Sequence, residues 1–304
     1  MHSVLKRAGA MCAAATVMFG AATVSAVPAR AAAIEVGGLS RTYEIHVPAG
    51  VTHPSALVVN LHAAGVSGRE QAALTHYNAV ADAHGFAVVY PDGIDMSWAD
   101  GRGASVPDRQ GVDDVGFITT LVSKLVSDYG ISPGRVFLTG LSAGAFMANR
   151  LACDRADLFA AIAPVAGTLG SNVGCAPSRP VAVMATYGTA DPIVPFGGGP
   201  MMGRGGASDI VSAPAMVQRW GQLNGCAGTP AQQSLAPSGD GTQTDRIDFA
   251  PCVPGGEVVF MRVNGGGHTW PGAPEVLPAH AVGLASRGFD ASEESWQFFD
   301  SHSR

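Results

Sequence analysis

The segment Gly140-Leu141-Ser142-Ala143-Gly144 has the form G-x-S-x-G, which places a serine between two glycines. It follows a short apolar run, Val136 to Thr139, and precedes a stretch with helical character. A strand, a G-x-S-x-G turn and a helix in this order form a nucleophile elbow, which exposes the serine oxygen above a sheet. The helix N-terminus beneath the serine favours developing negative charge. The sequence therefore predicts that Ser142 is a nucleophile for acyl transfer.

A nucleophilic serine needs a histidine base and a carboxylate that orients the histidine. Asp191 directly follows a predicted strand, and His268 lies in the glycine-rich segment Asn264 to Pro271 after the last long predicted strand. The chain order serine, aspartate, histidine is that of α/β hydrolases. We therefore expect Ser142 to act with His268 as base and Asp191 as the orienting acid. The alternatives are turn roles for Asp191 and His268, with Asp209, at an apparent helix start, as the second candidate acid.

An acyl-transfer site also needs two backbone N–H groups that stabilise the oxyanion. Ala143, the residue after the nucleophile, is the first predicted donor. Ala63 is the second, because it follows the predicted strand that ends at Leu61. The neighbouring His62 precedes the nucleophile in the chain, so we favour a structural role in this loop over a role as the base.

The elements that must position these residues alternate between strand and helix along most of the chain. Short apolar runs predict strands buried on both faces of a sheet, and longer amphipathic segments predict helices. The predicted strands cover 41–47, 56–61, 86–90, 135–139, 181–186 and 258–263, the predicted helices cover 70–84, 113–129, 213–223, 292–299 and a segment from 142, and 98–110, 197–208 and 237–244 are predicted loops. The pattern predicts a mostly parallel sheet with helices on both faces. With the elbow, this is an α/β-hydrolase fold in one catalytic domain over residues 34–304.

Further short motifs accompany the elbow in a fixed order across most of the chain. They are Leu61-His62, Tyr90 to Gly93, Val112 to Phe117, Leu151 to Cys153, Gly188 to Pro195 and Gly266 to Pro271. With Gly140 to Gly144, they resemble a secreted esterase family that joins polyhydroxybutyrate depolymerase catalytic domains, feruloyl esterases and acetylxylan esterases. The combination is far more specific than G-x-S-x-G alone.

The resemblance implies the same three catalytic residues, an extracellular role and disulfides near Cys153 and Cys226. It also implies that Trp98 and Trp270 line the substrate cleft, although ordinary packing is an equal alternative for each tryptophan. The expected reaction is hydrolysis of a carboxylic ester through an acyl-enzyme, and this chemistry needs no metal and no organic cofactor.

Two positions depart from the family pattern, which usually has glycine where this chain has Ala63 and often has glycine where it has Ala145. The N–H group survives at Ala63. Its added methyl group is expected to narrow the oxyanion hole or to change the preference for the acyl group.

Three classes of ester are candidate substrates. We favour polymers or oligomers of 3-hydroxyalkanoates such as 3-hydroxybutyrate, with feruloyl or acetylxylan esters of plant polysaccharide as the alternative. No appended polymer-binding domain is recognised, which favours soluble oligomers or small esters over a crystalline surface. A non-catalytic binding module on the same scaffold and a peptidase of the same fold are the less favoured functions.

The N-terminus has the pattern of a secretory signal peptide. Lys6 and Arg7 precede an apolar, alanine-rich stretch, and Val24-Ser25-Ala26 offers small residues for cleavage. We expect a signal peptide over residues 1–26, with a second candidate cleavage site at Ala33, and a secreted, extracellular protein. An uncleaved membrane anchor is the alternative, but the apolar run is short for a membrane span.

Four cysteines remain after the signal peptide: Cys153, Cys175, Cys226 and Cys252. An even number in an exported protein predicts two disulfides, for which three pairings are possible. We favour the pairs Cys153–Cys175 and Cys226–Cys252, because each closes a local loop. A zinc site is the less favoured reading, since no close group of cysteines and histidines has metal-ligand spacing.

Composition limits the remaining function classes. Hydrophobic residues make up 47% of the chain and charged residues 14%, so the chain can bury a large core. The formal net charge is -6, and no basic stripe is present, which argues against binding to nucleic acid. The expected partner is an ester substrate, and the oligomeric state stays open.

Overall fold

The computed structural model describes residues 30–274 and 277–304, and the signal peptide predicted over residues 1–26 lies outside them. Strand β1 begins at Arg30, so cleavage at Ala33 would remove part of this strand. The strands are β1 (Arg30–Val36), β2 (Leu39–His46), β3 (Leu57–Leu61), β4 (Ala87–Pro91), β5 (Val136–Leu141), β6 (Ala161–Val165), β7 (Ala182–Gly188), β8 (Gly199–Gly203), β9 (Gly206–Ile210), β10 (Ala231–Ser234), β11 (Gln243–Phe249) and β12 (Val258–Asn264).

Ten of these strands form one sheet in the order β1-β2-β4-β3-β5-β6-β7-β12-β11-β10, and β8 pairs with β9 as a separate hairpin. The six central strands, from β4 to β12, are parallel, and an antiparallel pair flanks them on each side. The chain leaves β3 towards β4 and returns to β5 on the other side of β3. The loops after β3 and β5 therefore lie side by side at the carboxyl edge of the sheet, where ligands of open α/β sheets bind.

Helices cover both faces of the sheet. The α-helices of the described residues are α1 (Gly68–Thr75), α2 (Tyr77–His84), α3 (Val106–Gln110), α4 (Asp114–Tyr129), α5 (Ala143–Asp154), α6 (Ala213–Leu223), α7 (Ala279–Val282) and α8 (Ala291–Asp300). Buried side chains of α4, α5 and α6 belong to one apolar cluster, and those of α2 and α8 belong to a second cluster. The predicted mostly parallel sheet with helices on both faces is confirmed. Within the described ranges, no helix is long and apolar enough to span a bilayer.

Several elements differ from the sequence-based expectations. The helix expected over 70–84 is two helices, because His76 has a left-handed backbone (φ 50°) that interrupts it. The loop expected over 197–208 contains most of the β8–β9 hairpin, and the loop over 98–110 contains α3. Asp209 does not start a helix: it lies in β9 and accepts a hydrogen bond from Ser171, and α6 starts after Ser212.

The central strand β6 was not predicted, because Pro164 argues against a strand inside a sheet. The structure accommodates the proline by leaving a gap in the ladder. Strand β6 pairs with β7 through Ala161, Ile162 and Val165, and Pro164 faces β5 instead.

Two disulfides join the cysteine pairs that we favoured, Cys153–Cys175 and Cys226–Cys252. The first ties the last turn of α5, the helix that follows Ser142, to the segment before β7. The second joins the loop after α6 to the loop after β11. Each disulfide therefore links two loops on the half of the sheet that runs from β5 to β10.

A buried ion pair joins β2 to the start of α4. The Arg41 guanidinium donates to the Asp114 carboxylate at 2.7 Å, and both side chains are at most 2% exposed. Arg41 also donates to the Asp92 carbonyl at 3.1 Å and lies 3.9 Å from the centre of the Phe117 ring. The second Asp114 oxygen accepts the Ala99 N–H at 2.8 Å. The pair therefore fixes the loops after β4 relative to the sheet.

We predict that Asp114→Asn lowers the free energy of unfolding by about 3–5 kcal/mol, because it leaves the Arg41 charge buried without a counter-charge. Urea unfolding followed by circular dichroism measures the change. The matched control is Asp128→Asn, which removes an exposed ion pair with Lys124 and should leave the unfolding midpoint almost unchanged. Equal effects of the two substitutions would contradict the structural role of the Arg41–Asp114 pair.

Candidate active site

Ser142 lies at the junction between β5 and α5 in a strained backbone conformation, with φ 57° and ψ −117°. Non-glycine residues rarely adopt a positive φ, and such strain is concentrated at functional sites. Two hydrogen bonds hold the conformation: the Ser142 N–H donates to the Val165 carbonyl, and the Ser142 carbonyl accepts the Phe146 N–H. Strand β6 and the first turn of α5 therefore fix the serine backbone.

Three glycines make room for this turn. A Cβ atom on Gly140 would lie 2.7 Å from the Leu61 carbonyl oxygen, and one on Gly144 would collide with the same carbonyl group. A Cβ atom on Gly167 would lie 2.5 Å from the Ser142 carbonyl oxygen and 2.8 Å from the Ala145 methyl carbon. The space that Gly167 leaves also accommodates Ala145, the residue that departs from the family's usual glycine.

His268 and Asp191 form a hydrogen-bonded pair at the same edge of the sheet. His268 Nδ1 lies 2.7 Å from Asp191 Oδ2, and the two side chains are 8% and 3% exposed. The other oxygen, Asp191 Oδ1, accepts the N–H groups of Ile193 and Val194 at 2.8 Å each. The carboxylate is thus fixed by backbone donors on one side and holds the imidazole on the other.

The loops that carry this pair are packed directly against each other. Asp191 follows β7 and His268 follows β12, and these strands are parallel neighbours. A Cβ atom on Gly188 would collide with the Gly266 carbonyl, and the Ala190 N–H donates to that same carbonyl at 2.9 Å. The glycines therefore allow the contact that brings the two side chains together.

Ser142 and His268 line one cavity of about 340 Å³ above the sheet edge. In the described part of the chain, the Ser142 hydroxyl makes no hydrogen bond to His268, so the structure brings the two residues to one cavity without joining them. Asp191 lies behind His268 and does not line the cavity. The structure thus places the three predicted catalytic residues around one site.

The backbone N–H groups of Ala63 and Ala143 have no hydrogen-bond acceptor within residues 30–274 and 277–304. Both residues line the cavity beside Ser142. Ala143 is the first residue of α5, so its N–H is one of the free donors at a helix N-terminus. Two donors without acceptors beside Ser142, the predicted nucleophile, are the groups that an oxyanion would need.

His62 supports the loop that carries Ala63. Its ring is fully buried, its Nδ1 lies 2.8 Å from the Ala63 carbonyl, and its Nε2 accepts the Gly93 N–H at 2.8 Å. The carbonyl can only accept and the N–H can only donate, so the imidazole is neutral with its proton on Nδ1. Burial lowers the pKa of His62, which favours this neutral form.

The two tryptophans have different positions. Trp270 lines the cavity, and its Nε1 donates to the Ser292 hydroxyl at 3.1 Å. Trp98 does not line the cavity, contrary to the expectation from the resemblance. Its fully buried ring lies 4.6 Å from the His62 ring, and its Nε1 donates to the His62 carbonyl at 2.9 Å. Trp98 therefore packs beneath the loop that carries Ala63.

Much of the cavity wall comes from segments that carry no functional motif. Arg102 comes from the segment predicted as a loop, Met201 and Met202 come from the β8–β9 hairpin, and Phe146 comes from α5. The hairpin strand Gly199–Gly203 is rich in glycine and has no alternation of apolar and polar residues, so nothing in it indicated a strand.

In the described ranges, no group of three or more histidine, cysteine, aspartate or glutamate side chains could hold a metal ion.

Residues 41–217, more than half of the chain, match the family described as Esterase PHB depolymerase. The chain belongs to this esterase family. It is a carboxylic ester hydrolase with an α/β-hydrolase fold. The solved acetyl xylan esterase from Aspergillus awamori has this fold, with a TM-score of 0.52 and 17% identity over 75% of this chain and 89% of that chain.

Two relatives cover most of the sequence. A protein of Nocardia uniformis subsp. tsuyamanensis that carries the name esterase NocK is 32% identical over 281 residues, which is 87% of this chain and 80% of the relative. Feruloyl esterase C of Emericella nidulans is 30% identical over 269 residues, which is 85% of this chain and 83% of the relative. Three further relatives are longer, and this chain spans between 31% and 52% of their length.

The buried, neutral His62 makes stability depend on pH. The pKa of His62 is lower in the folded protein than in the unfolded chain. As the pH falls through about 6.5, His62 is therefore protonated in the unfolded chain before it is protonated in the folded protein. The contribution of His62 is therefore fully present above that pH and is lost as the pH falls. We predict that the stability difference between the wild type and His62→Gln shrinks below pH 6.5, by at most about 1.4 kcal/mol per pH unit.

Urea midpoints at pH 8, 6 and 5 measure this difference, and groups common to both proteins cancel from it. The matched control is His53→Gln, which changes an exposed histidine. A difference between the wild type and His62→Gln that stays constant or grows on acidification would show that His62 is not held neutral.

Proposed function

We propose that this esterase acts through an acyl-enzyme on Ser142, with His268 as general base and Asp191 as the residue that orients His268. The observation that carries the proposal is the convergence of these groups on one cavity. The serine on its strained turn, the histidine already held by its carboxylate, and the two unpartnered N–H groups all come together there. Each group has the chemistry that one step of ester hydrolysis requires.

The positions of the His268 nitrogens define the path of the proton. Asp191 is an acceptor at Nδ1, so that nitrogen carries the proton and Nε2 has the free lone pair. Nε2 takes the proton of the Ser142 hydroxyl as the oxygen attacks the ester carbonyl. It then gives this proton to the leaving alcohol as the C–O bond breaks. We expect the hydrogen bond between Ser142 and His268 to form when substrate enters, as is common for catalytic contacts.

The oxyanion forms beside Ala63 and Ala143. Their N–H groups stabilise the tetrahedral intermediate because they are directed at the charge that develops and need no rearrangement. Water then attacks the acyl group on Ser142, with His268 as base again, and releases the acid. Ala63 lines the cavity, and we expect its methyl group to limit the space next to the carbonyl carbon.

Esters of 3-hydroxybutyrate, as polymers or oligomers, are the substrates that we propose first. The match to the Esterase PHB depolymerase family supports them. Hydroxycinnamoyl esters are the second candidate, supported by the similarity to feruloyl esterase C over most of both chains. A cavity of about 340 Å³ with walls such as Phe146 and Met201 favours these larger acyl groups over acetyl groups, which would fill little of it.

We also propose that the enzyme is exported. The two disulfides support this, because such bonds form and persist in oxidising compartments. The signal-peptide pattern over residues 1–26 is consistent with the same location.

A hydrolysis panel on the purified protein tests the proposal. It compares p-nitrophenyl butyrate, 3-hydroxybutyrate oligomers, methyl ferulate and acetylated xylan. Ser142→Ala should reduce kcat by about 10⁶-fold on every ester that is cleaved. Asp191→Asn should reduce kcat by roughly 10⁴-fold, because the imidazole then favours the wrong tautomer.

The matched control is Asp209→Asn, which changes the second candidate acid; this carboxylate lies in the β8–β9 hairpin and accepts a hydrogen bond from Ser171. This variant should retain activity close to the wild type. A loss as large as that of Asp191→Asn would move the orienting role to Asp209. Turnover near the wild-type rate in Ser142→Ala would refute the nucleophile.

A further inference from the structure

A buried arginine in the cavity wall has no role in the steps above. Arg102 lies in the segment between β4 and α3, and its side chain is 6% exposed. A buried guanidinium is costly unless its charge is paired and its donors are used. Because Arg102 lies in the wall of the cavity that holds Ser142, the partners of its N–H groups decide which of them can bind a ligand.

Two guanidinium nitrogens donate to one carboxylate. Nε donates to Asp100 Oδ1 at 3.0 Å, and Nη2 donates to Asp100 Oδ2 at 2.8 Å, with the Asp100 side chain 1% exposed. The guanidinium carbon lies 3.5 Å from the centre of the Phe146 ring. The bidentate pair and the ring fix the plane of the guanidinium, so its third nitrogen has one defined direction.

The third nitrogen, Nη1, has only a weak partner. Its acceptor is the Met201 sulfur at 3.3 Å. A thioether is a poor acceptor, and Nη1 carries two N–H groups. A fixed donor with a weak protein partner, in the wall of a catalytic cavity, is the arrangement that recognises an oxygen atom of a ligand.

We propose that Arg102 Nη1 binds an uncharged oxygen atom in the acyl part of the substrate, beyond the ester carbonyl. This makes Arg102 a specificity-determining residue, and the inference rests on the proposed role of Ser142. The oxygen is the 3-hydroxyl or 3-acyloxy oxygen of a 3-hydroxybutyryl group, or the ring hydroxyl of a hydroxycinnamoyl group. Both sources supply the same chemistry, a neutral hydrogen-bond acceptor.

The acyl side follows from the positions of the neighbouring residues. The leaving alcohol receives its proton from His268, so it must lie towards the loops after β7 and β12. The closest contacts of Arg102 are with Asp100, in the segment after β4, and with Phe146 of α5, and neither residue belongs to those loops. Phe146 lies four residues after Ser142, about 6 Å along α5, so a donor held against its ring is separated from the reacting carbonyl.

The preference for a neutral oxygen follows from Asp100. Its carboxylate already balances the Arg102 charge, so the pair is neutral as a whole. A substrate carboxylate placed there would be a second negative charge, buried beside a guanidinium that Asp100 already neutralises. A hydroxyl or ester oxygen carries no net charge, so it can accept a hydrogen bond from Nη1 without adding an unbalanced charge to the site.

Pairs of esters that differ at one group test the inference. The first pair is p-nitrophenyl 3-hydroxybutyrate and p-nitrophenyl 3-methylbutanoate, in which a methyl replaces the hydroxyl. The second pair is methyl 4-hydroxycinnamate and methyl 4-methylcinnamate. We expect the wild type to favour the hydroxyl ester in one pair by about tenfold or more in kcat/KM, and that pair identifies the source of the oxygen. The p-nitrophenyl hemisuccinate should be cleaved less efficiently than either ester of the first pair.

The decisive variants replace Asp100 together with Arg102, so that no buried carboxylate is left without a counter-charge. Asp100→Asn/Arg102→Gln retains a neutral donor, and Asp100→Asn/Arg102→Leu removes it. The hydroxyl-to-methyl ratio of kcat/KM should stay above one with glutamine and fall to about one with leucine, while circular dichroism reports on the fold. Arg204→Gln is the matched control, because this arginine lines the same cavity but is 40% exposed, and it should leave the ratio unchanged.

A ratio near one in the wild type for both pairs, or a ratio that the leucine variant retains, would overturn the inference. Failure of the proposed function is a separate result. In that case Ser142→Ala would retain turnover of both members of a pair, whatever their ratio. Loss of turnover in Ser142→Ala with an unchanged ratio in the Arg102 variants would refute only the role of Arg102.

Discussion

The structure depends on the close approach of two strand ends, β3 and β5, at the carboxyl edge of the sheet. The Leu61 carbonyl at the end of β3 lies where a Cβ atom on Gly140 or Gly144 would be. Glycine at both positions lets the nucleophile turn pack against the loop that follows β3. Ser142 and Ala63 therefore line the same cavity, although they are far apart in the chain. A wider separation would remove the proposed oxyanion donor Ala63 from the proposed nucleophile.

The remaining groups are held by hydrogen bonds that use nearly all their capacity. Both Asp191 oxygens and both His62 nitrogens have partners, and those partners are mostly backbone groups of neighbouring loops. These hydrogen bonds fix the tautomer of each imidazole as well as its position, because a carbonyl can only accept and an N–H can only donate. Among the cavity-lining donors of residues 30–274 and 277–304, the N–H groups of Ala63 and Ala143 have no acceptor and Arg102 Nη1 has only the Met201 sulfur. All three belong to residues that line the cavity, so the site keeps its free donors for a ligand.

The sequence predicted the parts of the molecule that local patterns specify. The sheet, the elbow at Ser142 and the two disulfide pairs follow from apolar runs, a motif in its strand–turn–helix context and short loop closures. It did not predict β6, because Pro164 obscured the strand, or the hairpin around Met201, because glycines removed its alternation. The packing of Trp98 against His62 and the contact of Arg102 with Met201 join segments that are far apart in the chain, which no local pattern records. Local sequence thus indicates where the reaction centre lies, whereas long-range packing sets the shape of the cavity around it.

Covalent capture of the nucleophile tests the central claim most directly. The protein would be treated with a serine-reactive phosphonate, weighed by intact mass spectrometry and mapped by peptide digestion. The account predicts one adduct per chain on Ser142, formed far more slowly in His268→Ala although that variant folds normally. An adduct on another residue, or labelling of Ser142 at the wild-type rate without His268, would contradict it.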